Sequence, residues 1–238
     1  MVDSVAKRIE DAKIEIIELP AEDLNWSTVS LSEVINKGKR LEASYFGIEY
    51  KNAVEVVQKC KFGYSNLQKH KGGLITSYRP GIIKRIFVEP NDNSIPMLTP
   101  SQINDIYPKA EKYLSKIMKS KIKDWFVKEG EILLTCSGSI GDLSIVTDTL
   151  KNRCISQNLI RMNPIDRNLT GYIYAFLKTE TGQTQLQRSN YGAVIKHINP
   201  SHLNNILIPN APTILKKIIH DLVIQSYKNR DESNCLID

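Results

Sequence analysis

Residues 130–162, GEILLTCSGSIGDLSIVTDTLKNRCISQNLIRM, constrain the fold of this 238-residue chain more than any other stretch. Two apolar runs, 132–134 and 145–146, are joined through the small polar turn Ser137-Gly138-Ser139-Ile140-Gly141. A third run, 155–162, carries Ser156, Gln157 and Asn158. Short β-rich runs separated by Gly and Ser predict consecutive strands with polar tips. The hydroxyls and side-chain amides at those tips are groups that bond to phosphate or to base edges. Asn and Gln can pair bidentately with adenine. This chemistry belongs to a reading surface more than to a catalytic centre.

Two enzymatic patterns lie close to this segment, and neither is complete. SGSIG resembles a phosphate-cradling loop, but it lacks the GxxxxGK[ST] spacing and its lysine, and residues 144–146 read as strand where a helix is needed. The nucleophile elbow GxSxG needs a glycine two places before the serine, and Ser137 stands there ahead of Ser139. No paired carboxylates and no cofactor loop announce themselves. Cys60, Cys136, Cys154 and Cys235 are scattered without CxxC spacing, which reads as reduced thiols. His197 and His202 straddle Pro200, which spoils a helical metal pair. The sequence therefore predicts binding without catalysis, metal or cofactor.

Charge points to the partner. Residues 61–130 hold 13 Lys and Arg against 6 Asp and Glu, whereas residues 1–60 hold 8 against 11. A basic central section suits a polyanion, although a solvated lysine face would count the same. No apolar run approaches the roughly 18–20 residues that span a bilayer. The charged N-terminal stretch also lacks the apolar core of a secretion signal, so a cytoplasmic location is expected.

Periodicity gives the remaining layout. Residues 1–20 read as a solvated arm or short helix, 32–36 as a helical turn, and 51–60 as a helix with Val54, Val57 and Cys60 on one side. Residues 69–85 read as loops flanking short strands; 86–88 and 95–98 are strand candidates. The Lys-rich segment 108–121 is expected to be helical, as is 171–178 with an extension to Leu186. A last strand is expected at 206–208, closed by Pro209. Residues 213–227 form an amphipathic helix with Ile214, Ile218 and Leu222 on one face and Leu215 and Ile219 beside them. The fold class is thus mixed α/β of the α+β type. One domain of short, mostly antiparallel strands with peripheral helices is followed by a C-terminal amphipathic helix.

Two further stretches suit a nucleic acid. In YGAVIKHIN, residues 191–199, Gly192 permits an unusual turn while Tyr191, Lys196 and His197 interleave ring and cation, a combination that stacks on bases and neutralises phosphates. A strand with a solvated lysine is the alternative. Arg79, Lys84 and Arg85 flank a Pro-Gly turn, where arginine can fork to guanine, to phosphate or to a surface carboxylate.

The order of motifs resembles a known family. Trp26, LSEV at 31–34 and GKRLEASYF at 38–46 are followed by IPMLTPSQI at 95–103 and GEILLTCSGSIG at 130–141. SQNLIRM at 156–162, GYIYAFLKTETGQTQL at 171–186 and YGAVIKHINPSHLNNILIP at 191–209 complete the set. Together they resemble a target-recognition domain from the specificity (S) subunit of Type I restriction–modification systems.

The resemblance implies a non-catalytic specificity component that binds double-stranded DNA and directs methylation and cleavage by methyltransferase (M) and restriction (R) partners. It implies a recognition domain at 26–211 and the start of a spacer helix at 212–238; the N-terminal arm at 1–25 is no part of the family pattern and is read from the sequence alone. DNA contact is expected from Arg79, Lys84, Arg85, Ser137, Ser139, Gln157, Asn158, Tyr191, Lys196 and His197. Subunit association, including self-association, is expected from Ile214, Ile218 and Leu222. Such subunits usually carry two recognition domains, and one is visible here, so a fragment and a dimerising half-subunit both fit. The recognition module of a single-chain restriction–methylation enzyme and a protein-interaction adaptor remain as alternatives.

Overall fold

The computed structural model describes residues 28–36, 39, 46–68, 72–188 and 197–237. It divides into two units, Met1–Arg40 and Leu41–Asp238. In the first, helix α1 (Leu31–Asn36) begins where Ser30 Oγ accepts the Glu33 N–H at 3.1 Å, a side-chain cap on an otherwise orphan donor.

The second unit is built on β5 (Ile132–Thr135), whose side chains alternate between two cores. Ile132 and Leu134 enter the first core with Leu143, Ile145, Ile160, Met162, Ile173 and Leu177. Leu133 enters the second with Leu98, Ile103, Val146, Ile155 and Leu159. A strand buried on both faces reads as a continuous apolar run, which is what ILL at 132–134 is.

Around β5 lie β2 (Ile75–Tyr78), β6 (Leu143–Ile145) and β8 (Leu159–Pro164) in an antiparallel sheet of order β2-β8-β5-β6. A second sheet of order β4-β3-β7 contains β3 (Ser94–Leu98), β4 (Lys112–Ser115) and β7 (Cys154–Ile155). There β3 pairs antiparallel with β4 and parallel with β7. A third core of Met97, Leu114, Met118, Ile122, Trp125 and Cys154 lies beside it. Finally β1 (Tyr64–Asn66) pairs antiparallel with β9 (Leu207–Pro209).

Helices cover the first core. They are α2 (Ile48–Gln58), α3 (Thr170–Lys178), α4 (Glu180–Arg188) and the long C-terminal α5 (Thr213–Ile237). Gly171 sits where α3 meets α5: a Cβ there would lie 2.7 Å from His220 Cα, so only glycine admits this approach. Among the described residues, no helix is long and apolar enough to cross a membrane.

The mixed class and the C-terminal helix agree with the sequence reading, and four local expectations change. Residues 108–121 hold β4 and the 3-10 turn Lys116–Met118 instead of a helix. Leu114 is buried and pairs opposite Ile95, so tertiary pairing overrides the helix propensity of the lysines. Residues 86–88 form only an isolated bridge, Phe87 to Leu114. The 171–186 helix breaks at Thr179, which is extended and whose Oγ1 accepts the Gly182 N–H at 3.2 Å, starting α4.

The C-terminal helix continues ten residues past its expected end at Tyr227. Beyond that point its attachment is polar. Buried Asp231 accepts from Thr147 Oγ1 at 3.0 Å, Asp148 N at 3.1 Å, and Thr149 N at 3.1 Å and Oγ1 at 2.5 Å. Asn234 Nδ2 donates to Ile106 O at 2.8 Å and to Thr149 Oγ1 at 2.9 Å. An apolar stripe is thus not required to hold this end.

Candidate nucleic-acid interface

The run 155–162 is not one strand: β7 and β8 belong to different sheets, and residues 156–158 cross between them. The crossing is held from inside by Arg161, a fully buried side chain. Its Nη1 donates to Ser156 O at 3.0 Å and Leu159 O at 2.7 Å, and its Nη2 to Ile155 O at 2.8 Å. The guanidinium is a rigid fork, and here it ties carbonyls from both sides of the crossing together. Burial pulls the Arg161 pKa below its ordinary value, against the opposing influence of Tyr78 and Glu131. Burial likewise raises the Glu131 carboxyl, which Lys128 N–H, Arg161, Lys128 and Arg167 counteract.

The crossing presents Asn158 and anchors Arg79. Arg79 Nε donates to Gln157 O at 3.1 Å, and its Nη2 to Asn158 Oδ1 at 3.2 Å. Among the described residues, two of its five guanidinium N–H groups are engaged. Asn158 is half-buried, and its Nδ2 has no partner among the described residues.

Gln157 differs from its expected role. It is only 4% exposed, and its Oε1 accepts the Ile83 N–H at 3.1 Å. Its amide oxygen is thereby tied to the loop that carries Lys84 and Arg85. Of these, Lys84 is exposed, and Arg85 is half-buried with its guanidinium carbon 5.7 Å from the Phe87 ring centre.

A backbone bond from Cys136 N to Asn158 O, 3.3 Å, ties this group to the β5–β6 turn. That turn is set by Thr135, whose Oγ1 donates to Ser139 O at 2.6 Å and accepts from Asp142 N at 3.0 Å. Gly141 has φ +107°, a conformation that favours glycine, and a Cβ there would displace the Gln183 side chain, whose Oε1 would lie 2.2 Å away. Ser139 is exposed near the tip. Ser137 bridges to His197 across isolated strand pairing, with Oγ to Nδ1 at 2.9 Å.

The structure thus brings Arg79, Gln157 and Asn158 together and joins Ser137 to His197. It places Lys84 and Arg85 on the adjoining loop. Tyr191 and Lys196 lie outside the described residues. Arg161 and Thr135 were missed by sequence reasoning: one looks like any surface arginine in a linear reading, the other like any strand residue.

The Type I restriction modification DNA specificity domain matches residues 24–221. The chain belongs to this family. Among solved structures it is similar to a Type I restriction-modification S subunit from M. genitalium, at 16% identity and TM-score 0.45, over 67% of this chain and 38% of that one. It is also similar to the HsdS subunit from Thermoanaerobacter tengcongensis, at 14% identity and TM-score 0.38, over 86% and 50%. The type IIG restriction endonuclease BpuSI shares its fold at TM-score 0.55 and 11% identity, over 93% of this chain and 33% of that one. This specificity-domain chain therefore spans half or less of each of these proteins. No curated protein sequence matches it significantly.

Proposed function

We propose that this chain binds duplex DNA sequence-specifically as the specificity component of a Type I restriction–modification assembly. In this reading it acts in the cytoplasm, holds no cofactor and catalyses nothing; methylation and cleavage belong to M and R partners. The observation that carries the reading is the Arg79–Asn158 pair at the strand crossing. It sets unengaged guanidinium and amide donors side by side, beside a hairpin tip of hydroxyls. Donors of this kind address the N7 and O6 acceptors of purines in the major groove.

Arg79, Asn158, Ser137 and Ser139 are assigned to base edges, with Tyr191, Lys196 and His197 completing the surface. Lys84 and Arg85 are assigned to phosphates, and Gln157 and Arg161 hold the others in place. Residues 26–211 act as the recognition domain and 212–238 as the start of a spacer. Ile214, Ile218 and Leu222, exposed by 76%, 51% and 68%, form the ridge on which a partner helix docks.

The test is binding to duplex DNA across a salt series. Each neutralised phosphate contributes a slope of roughly −0.9 in log K against log salt, so a slope steeper than about −3 is expected. A flat dependence favours the protein-interaction adaptor. A second reading, a recognition module within a single-chain restriction–methylation enzyme, is favoured by the fold shared with the type IIG endonuclease. Methyltransferase and ATPase genes beside the coding sequence distinguish the first reading from this one.

A further inference from the structure

The stretch that includes β4 and runs on toward β5 is strongly basic. Residues 109–128 contain seven lysines against two carboxylates, Glu111 and Asp124. Lys116, Lys119 and Lys123 line one open dent of about 620 Å³ together with Ile117, Ser120 and Phe126. All three lysines are exposed, and none is in an ion pair among the described residues. Ile117 is 82% exposed.

This dent adjoins the loop that carries Lys84 and Arg85. Ser115 N donates to Ile86 O at 3.0 Å, and Ile86 N donates to Met118 Sδ at 3.2 Å. Ile83, whose N–H is held by Gln157, packs on the core of Met118, Ile122 and Trp125. These bonds join the loop that carries Lys84 and Arg85 both to the Arg79-binding crossing and to the segment that carries Lys116, Lys119 and Lys123.

We propose that residues 116–123 form a second DNA-contacting element that grips the phosphate backbone of the duplex whose bases the Arg79–Asn158 surface reads. The inference rests on the DNA-binding reading above. A sugar–phosphate strand alternates anion with the less polar deoxyribose, and this dent offers the complement: three lysines beside an aliphatic and an aromatic side chain. Lys116 Nζ donates to the Asp92 carbonyl, and a polyanion laid along this edge meets three cations in sequence. A merely solvated face needs neither the shared dent nor its continuity with the Arg85 loop.

The test compares the full chain with K116Q/K119Q/K123Q on a random-sequence duplex of about 30 base pairs, over a salt series. A control, K216Q/K217Q/K228Q, removes the same charge from α5. The first variant should flatten the slope of log K against log salt by about 2–3, roughly 0.9 for each lost contact. The control should change it little, and K116R/K119R/K123R should keep the parent slope, separating loss of charge from loss of fold. A slope change no larger than the control's overturns the inference while leaving the DNA reading intact. Absence of salt-dependent binding by the parent chain overturns both.

Discussion

Arg161 and Glu131 are ionisable groups placed inside the fold, and each gives a measurable consequence. Arg161→Met removes the donors to Ser156, Leu159 and Ile155 carbonyls. Leaving buried acceptors unpaired costs about 1–3 kcal/mol each, so the variant should lose at least about 3 kcal/mol in urea unfolding. Glu131 titrates above its ordinary value, so its protonated form favours the folded state. That stabilisation is complete below the ordinary carboxylate pKa and is lost as pH rises through the folded one. Glu131→Gln, neutral throughout, should therefore gain stability relative to the parent as pH rises across that window and then level off. A difference that stays constant with pH would contradict the assignment. Among the thiols, burial pushes Cys154 up to about 12 and raises Cys136 as well. Only Cys60 and Cys235 should react with a thiol reagent before unfolding.

Secondary-structure elements show where local pattern was sufficient. The apolar run at β5 and the glycine turn after it were legible, because a doubly buried strand and a left-handed turn each leave a compositional trace. The parting of β7 from β8 was not legible: periodicity within 155–162 carries no information about which sheet each half joins. For the same reason Gln157 read as an exposed amide when it is an internal strut. The C-terminal helix divides its apolar residues between two faces. Ile219, Val223, Ile224 and Tyr227 pack on the domain, while Ile214, Ile218 and Leu222 stay exposed. Asp231 then holds the far end, a polar attachment that no hydrophobic pattern reveals. Asp231→Ala leaves buried N–H donors unpaired and should cost about 2–4 kcal/mol, with faster hydrogen exchange across residues 228–237. Unchanged exchange there would remove the attachment from the account. The exposed ridge alone is narrow, so sedimentation should find a monomer or a weakly associating dimer in isolation. A tight dimer at nanomolar concentration would assign the ridge to self-pairing.

At the scale of the whole molecule, the β2-β8-β5-β6 sheet and the helices packed on its core carry the β5–β6 turn and the crossing at residues 156–158. Rigid elements are what precise recognition requires, because donors must stay within fractions of an ångström of a base edge. The charge bias of residues 61–130 was legible from composition, but the packing of the 83–88 loop beside β4 was not, because it required residues 112–115 to be a strand. Family membership was legible from motif order, since residues 24–221 match the specificity domain as a block. The bases read were not, because donors and acceptors at a loop tip specify a target only once docked. The central claim, sequence-specific recognition of DNA, is tested most directly by selecting bound duplexes from a randomised library with this chain and sequencing them. The account predicts convergence on one short defined site, with Asn158→Ala relaxing preference at a single position at a cost of about 1–3 kcal/mol. Recovery of a pool indistinguishable from the input, by a folded protein at moderate salt, would contradict it.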